Sequence, residues 1–251
     1  MTRSALLLSL VFSLSCTALP AQDDAAAIAP TSVVNLLADP TLADFTANLN
    51  PTRTLEKDPK KIWVIGEDGV LDVSGEGLGY LRTNQAYRDY HLVIDYRWDE
   101  RTFGSRADRA RDCGLLLHCY GPDGAYGTTW MNSIEAQLIE GGSGDILVLA
   151  AKDENGVIAP TKVTAEVKKD RDGEPVWTKG APKVTFPAEG KTMARINWRD
   201  RDPDWTDVRG YRGAKEIENP LGEWNRMEVI CAGSSIRILL NGELVNEVTD
   251  C

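Results

Sequence analysis

An alternation of apolar and polar residues with period two limits what this chain can fold into. Between Tyr90 and Trp98, Leu92, Ile94, Tyr96 and Trp98 fall on one side of an extended segment, and His91, Val93, Asp95 and Arg97 fall on the other. The same pattern predicts strands over Ile62–Val64, Val70–Val73, Tyr80–Thr83, Cys113–Tyr120, Ser133–Ile139, Ile146–Ala150 and Val163–Val167. Towards the C-terminus the strands follow one another as a meander. Trp224–Cys231 passes through Ala232, Gly233 and Ser234 into Ile236–Leu240, and Asn241-Gly242 joins that run to Glu243–Val248. Asn-Gly between two alternating runs marks a hairpin, because both residues tolerate the positive φ of a type I′ turn. Many strands, Gly and Asp turns and no amphipathic helix give an all-β class, a two-sheet antiparallel sandwich. Residues 152 to 212 are less regular, with Pro, Gly and charge clusters, and read as strands carrying long loops over one sheet.

The N-terminus reads as a processing signal. Arg3 supplies the positive end, Ala5 to Leu14 an apolar run too short to anchor in a bilayer, and Ala21 a small residue suited to cleavage. Residues 1–21 are thus expected to be a signal peptide, 22–32 a linker, and 33–251 the domain. Lipid attachment at Cys16 is the less favoured alternative, since the leucine of a lipobox falls one place late. Export, to the periplasm or outside the cell, is the expected localisation. No other stretch is apolar for long enough to span a membrane.

Export places the cysteines in an oxidising compartment. Beyond Cys16 there are four, Cys113, Cys119, Cys231 and Cys251. Cys113 and Cys119 fall on one predicted strand, about 20 Å apart at the usual rise, and cannot pair with each other there. Other pairings stay open. The formal net charge of -10 argues against nucleic acid or an anionic membrane as partner.

The run Trp130-Met131-Asn132-Ser133-Ile134-Glu135-Ala136-Gln137-Leu138-Ile139-Glu140 carries the most chemistry. As a strand it sends Ile134, Ala136 and Leu138 into the core and gathers Ser133, Glu135 and Gln137 on the other face. Polar side chains beside a tryptophan suit sugar hydroxyls and ring faces, although an ordinary solvated face has the same spacing. His91 and His118 are the only histidines, too few for a three-His zinc site. Asp200, Asp202, Asp204 and Asp207 begin like a calcium loop but lack its sixth-position Gly and twelfth-position Glu. Arg101, Arg106, Arg109 and Arg111 read as a solvated basic connection.

The order of several short segments resembles the 3-keto-disaccharide hydrolase family. These are Trp63-Val64, Asp68-Gly69-Val70-Leu71, Gly79-Tyr80-Leu81-Arg82-Thr83, Tyr90-His91-Leu92, Cys113 to His118, Ser133 to Gln137, Gly141 to Asp145, Gly222 to Asn225 and the Asn241-Gly242 hairpin. The resemblance implies a concanavalin A-like jelly roll that cleaves glycosides already oxidised to a ketone at C3. It implies Glu135 as base or metal ligand, His118 as a second acid/base group or a metal ligand, and Gln137, Trp130, Asp145 and Ser133 as substrate contacts. Hydrogen-bond donors or a divalent metal would stabilise the enolate; the sequence does not choose between them. Glu223, Trp224 and Asn225 also match, and read equally as a turn opening a core strand. The family has Asn-Ser-Gly where this chain has Asp112-Cys113-Gly114, and a further strand is expected after Cys251. The alternatives are a non-catalytic carbohydrate-binding jelly roll, a retaining glycosidase using Glu135 and Glu140, and a structural surface protein.

Overall fold

The computed structural model describes residues 31–251; the expected signal peptide, and all but two residues of the expected linker, lie outside the described residues. Among the described residues fifteen strands, one short α-helix and one 3-10 turn (Gly104–Arg106) follow in order. β1 (Phe45–Leu49) precedes α1 (Pro59–Ile62), β2 (Trp63–Ile65), β3 (Leu71–Val73) and β4 (Gly79–Thr83). β5 (Tyr90–Tyr96), β6 (Asp112–Tyr120), β7 (Asn132–Ile139) and β8 (Ile146–Leu149) come next. They are followed by β9 (Val163–Lys169), β10 (Pro175–Trp177), β11 (Lys183–Phe186) and β12 (Met193–Ile196). β13 (Asn225–Ala232), β14 (Ser235–Leu240) and β15 (Glu243–Val248) complete the chain. Ile62 closes the helix, which Asp58 caps through a 3.0 Å bond to Lys60 N, so the predicted strand there starts one residue late.

Two antiparallel four-stranded sheets dominate, β12-β8-β7-β6 and β15-β14-β13-β5. Their facing side chains make one core. Ile134, Ala136 and Leu138 of β7 meet Met227 and Val229 of β13 and Ile236 and Ile238 of β14. Each large aliphatic side chain buried there contributes roughly 1.5–3 kcal/mol. The three-stranded sheet β10-β9-β11 adjoins both. Thr164 on β9 exchanges backbone hydrogen bonds with Thr249 just past β15, and Asn197 just past β12 exchanges them with Pro175 and Trp177. Asn241 and Gly242 take φ of 50° and 83°, as the hairpin reading requires. The result is the expected two-sheet sandwich.

The outer faces of the two main sheets differ. On β5 and β13, His91 pairs with Glu228 at 2.8 Å and Asp95 with Arg226 at 2.8 Å, as on a solvated surface. On β7, Ser133 and Gln137 are buried, at 0% and 5% exposure. Loop side chains lie over this second face: Arg106 pairs with Asp112 at 3.2 Å, and Trp205 packs on the Arg195 and Arg201 guanidiniums. An ordinary solvated face, the plainer expectation for the strand, is therefore excluded.

Candidate active site

Register builds the site. Leu116 of β6, Glu135 of β7, Leu147 of β8 and Arg195 of β12 stand opposite one another and so form one row on the covered face. Glu135 and Arg195 are two strands apart, roughly 10 Å between backbones. Gly114 and Gln137 are paired in the next row, where the Gln137 amide donates to Asp145 O at 2.9 Å. Asp112 opens β6 beyond them, and its Oδ1 accepts from Gln137 Nε2 at 2.6 Å.

Glu135 makes no side-chain hydrogen bond among the described residues. Burial, with the Asp112 charge adding to it, pushes its carboxyl up to about 8, and the Arg195 charge opposes the rise. Asp112 is also raised by burial, although it pairs with Arg106 Nη1 at 3.2 Å. Glu135, with its carboxyl at about 8, can hold and release a proton near neutral pH, and the neighbouring Asp112 charge helps to keep it there.

Asp145 lies just before β8, at a strand end, but is not open to substrate as the resemblance implied. It is fully buried and its oxygens are occupied: Oδ1 accepts from Trp198 N at 2.8 Å, and Oδ2 accepts from Arg195 Nε at 2.8 Å and from Arg201 Nη1. Arg195 Nη2 stands 2.6 Å from the same oxygen but off the hydrogen-bond direction, and remains unpaired. Both guanidiniums lie against the Trp205 ring, at 5.4 Å and 4.2 Å from its centroid. Asp145 therefore orients Arg195 and is closed to a ligand. Ser133 is likewise enclosed, its hydroxyl 3.3 Å from Met131 O.

The structure does not bring His118 to Glu135. A bulge in β6 between Leu117 and Tyr120 puts His118 at φ 51°, and its ring meets the edge of Tyr90 at 6.5 Å. It lines a cavity of about 310 Å³ with Cys119, Cys231 and Cys251 around the β13–β14 turn, and burial lowers its pKa. Among the described residues Cys113, Cys119, Cys231 and Cys251 are free thiols. Trp130, just before β7, is half-buried and tilted 31° against Tyr80 at 6.2 Å.

Within the basic run Arg111 departs from the solvated reading, whereas Arg101, Arg109 and, in the acidic run, Asp204 remain exposed. Arg111 is buried against Glu140 at 2.5 Å, while Arg106 and Arg109 hold Asp207 at 2.7 and 3.0 Å. Asp200 pairs with Arg199 and Lys215, and Asp204 with Arg171. Glu140 is consumed by Arg111 and by the Gly210 amide at 3.0 Å, which removes it as a partner carboxylate for Glu135. Among the described residues no three His, Cys, Asp or Glu side chains are arranged to hold a metal ion. Asn225 accepts from Asn219 N at 2.6 Å and from Asn241 Nδ2 at 2.9 Å, a turn-building role.

Arg195, Arg201 and Glu218 were not singled out from the sequence. Arg195 alternates with Ala194 and Ile196 in a short strand, a weak signal. Glu218 lies in a loop with no pattern, yet its Oε1 accepts from Tyr96 Oη and Trp98 Nε1 at 2.7 Å each and stands 3.2 Å from Ser143 Oγ. It fixes the Gly-rich turn that carries Asp145, and burial pushes its carboxyl up to about 7.

The 3-keto-alpha-glucoside-1,2-lyase-like domain family matches residues 39–251. Among curated proteins none matches significantly. A crystal structure from Parabacteroides distasonis, described as "Putative glycosyl hydrolase", is 19% identical over 80% of this chain and 71% of that one, with a TM-score of 0.37.

Proposed function

The chain belongs to the 3-keto-alpha-glucoside-1,2-lyase-like domain family, and on that premise we propose that it cleaves 3-keto-glycosides by elimination, with Glu135 as the proton-transfer group. The observation that carries this reading is the Glu135 carboxyl itself. It is free of hydrogen bonds, covered, poised at about 8, and on the same row as the Arg195 cation.

The chemistry follows from the substrate. A ketone at C3 acidifies the C2–H bond. The Glu135 carboxylate takes that proton, and the electron pair is held as an enolate whose negative oxygen a guanidinium can stabilise. The pair then forms the C1–C2 double bond as the C1–O bond breaks. The departing oxygen needs a proton, which protonated Glu135 is placed to return. Addition of water at C1, with a proton back to C2, completes net hydrolysis. Gln137 and Asp112 bridge the floor beside Glu135, and Asp145 keeps Arg195 in place. The donor set does not fit a divalent ion, because Asp112 and Asp145 are already engaged by Gln137, Arg106, Arg195 and Arg201. The N-terminal signal supports an exported protein, periplasmic or secreted.

The test is a product assay on the purified protein with a 3-keto-disaccharide and its unoxidised parent. Release of the keto-monosaccharide from the oxidised substrate alone is expected, with kcat reduced on the order of 10²-fold or more in Glu135→Gln. Unchanged turnover in that variant removes the role of Glu135. Binding without product, in a folded protein, makes the face a carbohydrate-binding module.

A further inference from the structure

A second polar and aromatic group lies beyond the start of β7, outside the Glu135 row. Tyr80 and Arg82 alternate on β4 and so share a face. Tyr80 Oη donates to Asp123 Oδ1 at 2.6 Å, and Arg82 Nε approaches the same oxygen at 3.6 Å. That distance is too long for a hydrogen bond, and Arg82 Nε is buried without a partner. The Arg82 and Asp123 side chains remain 38% and 39% exposed. Beside them the Tyr80 and Trp130 rings lie 6.2 Å apart at 31°, both half-buried.

This group is held rigidly. Trp130 and Tyr126 exchange backbone hydrogen bonds at 2.8 and 2.9 Å. Asn48 and Asn50, at the end of β1, donate to Thr129 at 3.1 and 2.8 Å. A stable aromatic floor with a carboxylate and a guanidinium at its side matches a pyranose. The ring offers an apolar face of C–H groups to the aromatics and adjacent hydroxyls to the charged pair.

Its position relative to Glu135 follows from β7. Trp130 leads into the start of the strand, Asp145 pairs with Gln137 near its end, and Glu135 lies between. Asp123 and Trp130 both lie in the connection between β6 and β7, the two strands that place Leu116 opposite Glu135 and Tyr120 opposite Asn132, so the group borders the end of the strand pair that carries Glu135. With Arg195 assigned to the oxidised ring, the other ring of a disaccharide extends towards Tyr80 and Trp130.

We propose that Tyr80, Trp130, Arg82 and Asp123 form the subsite for the leaving-group sugar, an unoxidised pyranose with adjacent free hydroxyls. The assignment to a leaving group rests on the reaction proposed above; the pyranose site itself does not. The same end of the face would make this protein selective for disaccharides over simple glycosides.

Two measurements on the full chain test it. The first is the ratio of kcat/KM for a 3-keto-disaccharide to that for 3-keto methyl glucoside, in wild type, Tyr80→Ala, Trp130→Ala and Asp123→Asn. The ratio is expected to fall at least ten-fold in the two aromatic variants and several-fold in Asp123→Asn, which alters an exposed group and spares the fold. A ratio that does not move, or a loss of thermal stability with no change in the ratio, overturns the subsite and leaves Tyr80–Asp123 a loop fastener. The second is saturation-transfer NMR with methyl glucoside on Glu135→Gln alone and combined with Trp130→Ala or Asp123→Asn. Signal lost in the combined variants is expected, and signal retained in both overturns the proposal. Should wild type turn over neither keto substrate, the reaction reading falls, while the NMR measurement still decides the pyranose site.

Discussion

The carboxylate of Glu135 lies over the bare Cα of Gly114 on the neighbouring strand, in the space a side chain at that position would fill. A Cβ on Gly114 would stand 2.9 Å from the Glu135 carboxyl carbon and nearer still to Oε1. Gly114 is not in the left-handed region, so its backbone imposes no demand for glycine. The demand comes from the glutamate, which needs that depth to fold down against the sheet and remain covered.

Gly114→Ala is therefore expected to injure activity more than folding. The added methyl meets the end of a flexible side chain, which can swing aside, but the swing moves the carboxyl off its row with Arg195. A fall in kcat of about ten-fold or more is expected, given how steeply proton transfer depends on placement. Steady-state kinetics beside a thermal melt check this. Normal kcat would show that the carboxylate does not need its seat over Gly114.

The same burial gives two opposite pH dependences. Glu135 is raised from 4.5 to about 8, so it is mostly protonated at neutral pH, and its work as a base should increase as pH rises through about 8. Stability runs the other way. The folded state holds this proton more tightly than the unfolded chain, so its contribution is complete below the ordinary carboxyl pKa and is lost as pH rises towards 8. Glu218, raised to about 7, adds a similar loss over a lower window. Urea unfolding from pH 5 to pH 9 should show stability declining, and Glu135→Gln should flatten the part of that decline above pH 7. A decline unchanged in the variant would place the titration elsewhere.

Asp145→Asn tests the clamp behind Arg195. The asparagine keeps the shape but removes the charge that offsets two guanidiniums, one of them almost fully buried. Breaking a buried ion pair on one side costs about 3–5 kcal/mol. A loss of that order in urea unfolding is expected, together with a reduced kcat as Arg195 loses its orientation. A near-neutral effect on both would mean that Trp205 alone holds the two arginines.

The alternation that showed the sandwich also showed which side of β7 carries Glu135, because both follow from the two-residue period of a strand. It could not show that this face is covered, since Ser133 and Gln137 have the spacing of solvated residues. Their burial comes from loops whose composition is polar and whose paths depend on long-range ion pairs such as Arg106–Asp207, 101 residues apart. His118 was misplaced for a related reason. Its strand position puts it on a regular face, but the bulge after Leu117 breaks the parity and turns it to Tyr90. Asp145 was visible as a carboxylate near a strand end, but its two arginine partners lie about 50 residues away and leave no local sign.

Arg111 and Glu140 separate what holds the covering loops from what does chemistry. Glu140 has the five-residue spacing from Glu135 that a paired-carboxylate glycosidase would use, yet both its oxygens are taken. Oε1 meets Arg111 Nη1 at 2.5 Å, and Oε2 accepts the amides of Arg111 and Gly210 at 2.8 and 3.0 Å. Arg111 also donates to the carbonyls of Asp99 and Glu100, so the pair ties two loops, β5–β6 and β12–β13, to the end of β7. Glu140→Ala leaves a buried guanidinium and should cost about 3–5 kcal/mol, whereas Arg111→Met with Glu140→Leu should recover much of that, since an apolar pair avoids desolvating two ions. If the double variant regains stability and still cleaves a 3-keto-disaccharide, the pair is a fastener for the loops over Glu135. If it is stable but inactive, while Glu135→Gln is active, the reaction belongs to the Glu140 end of the strand and the assignment of Glu135 is wrong.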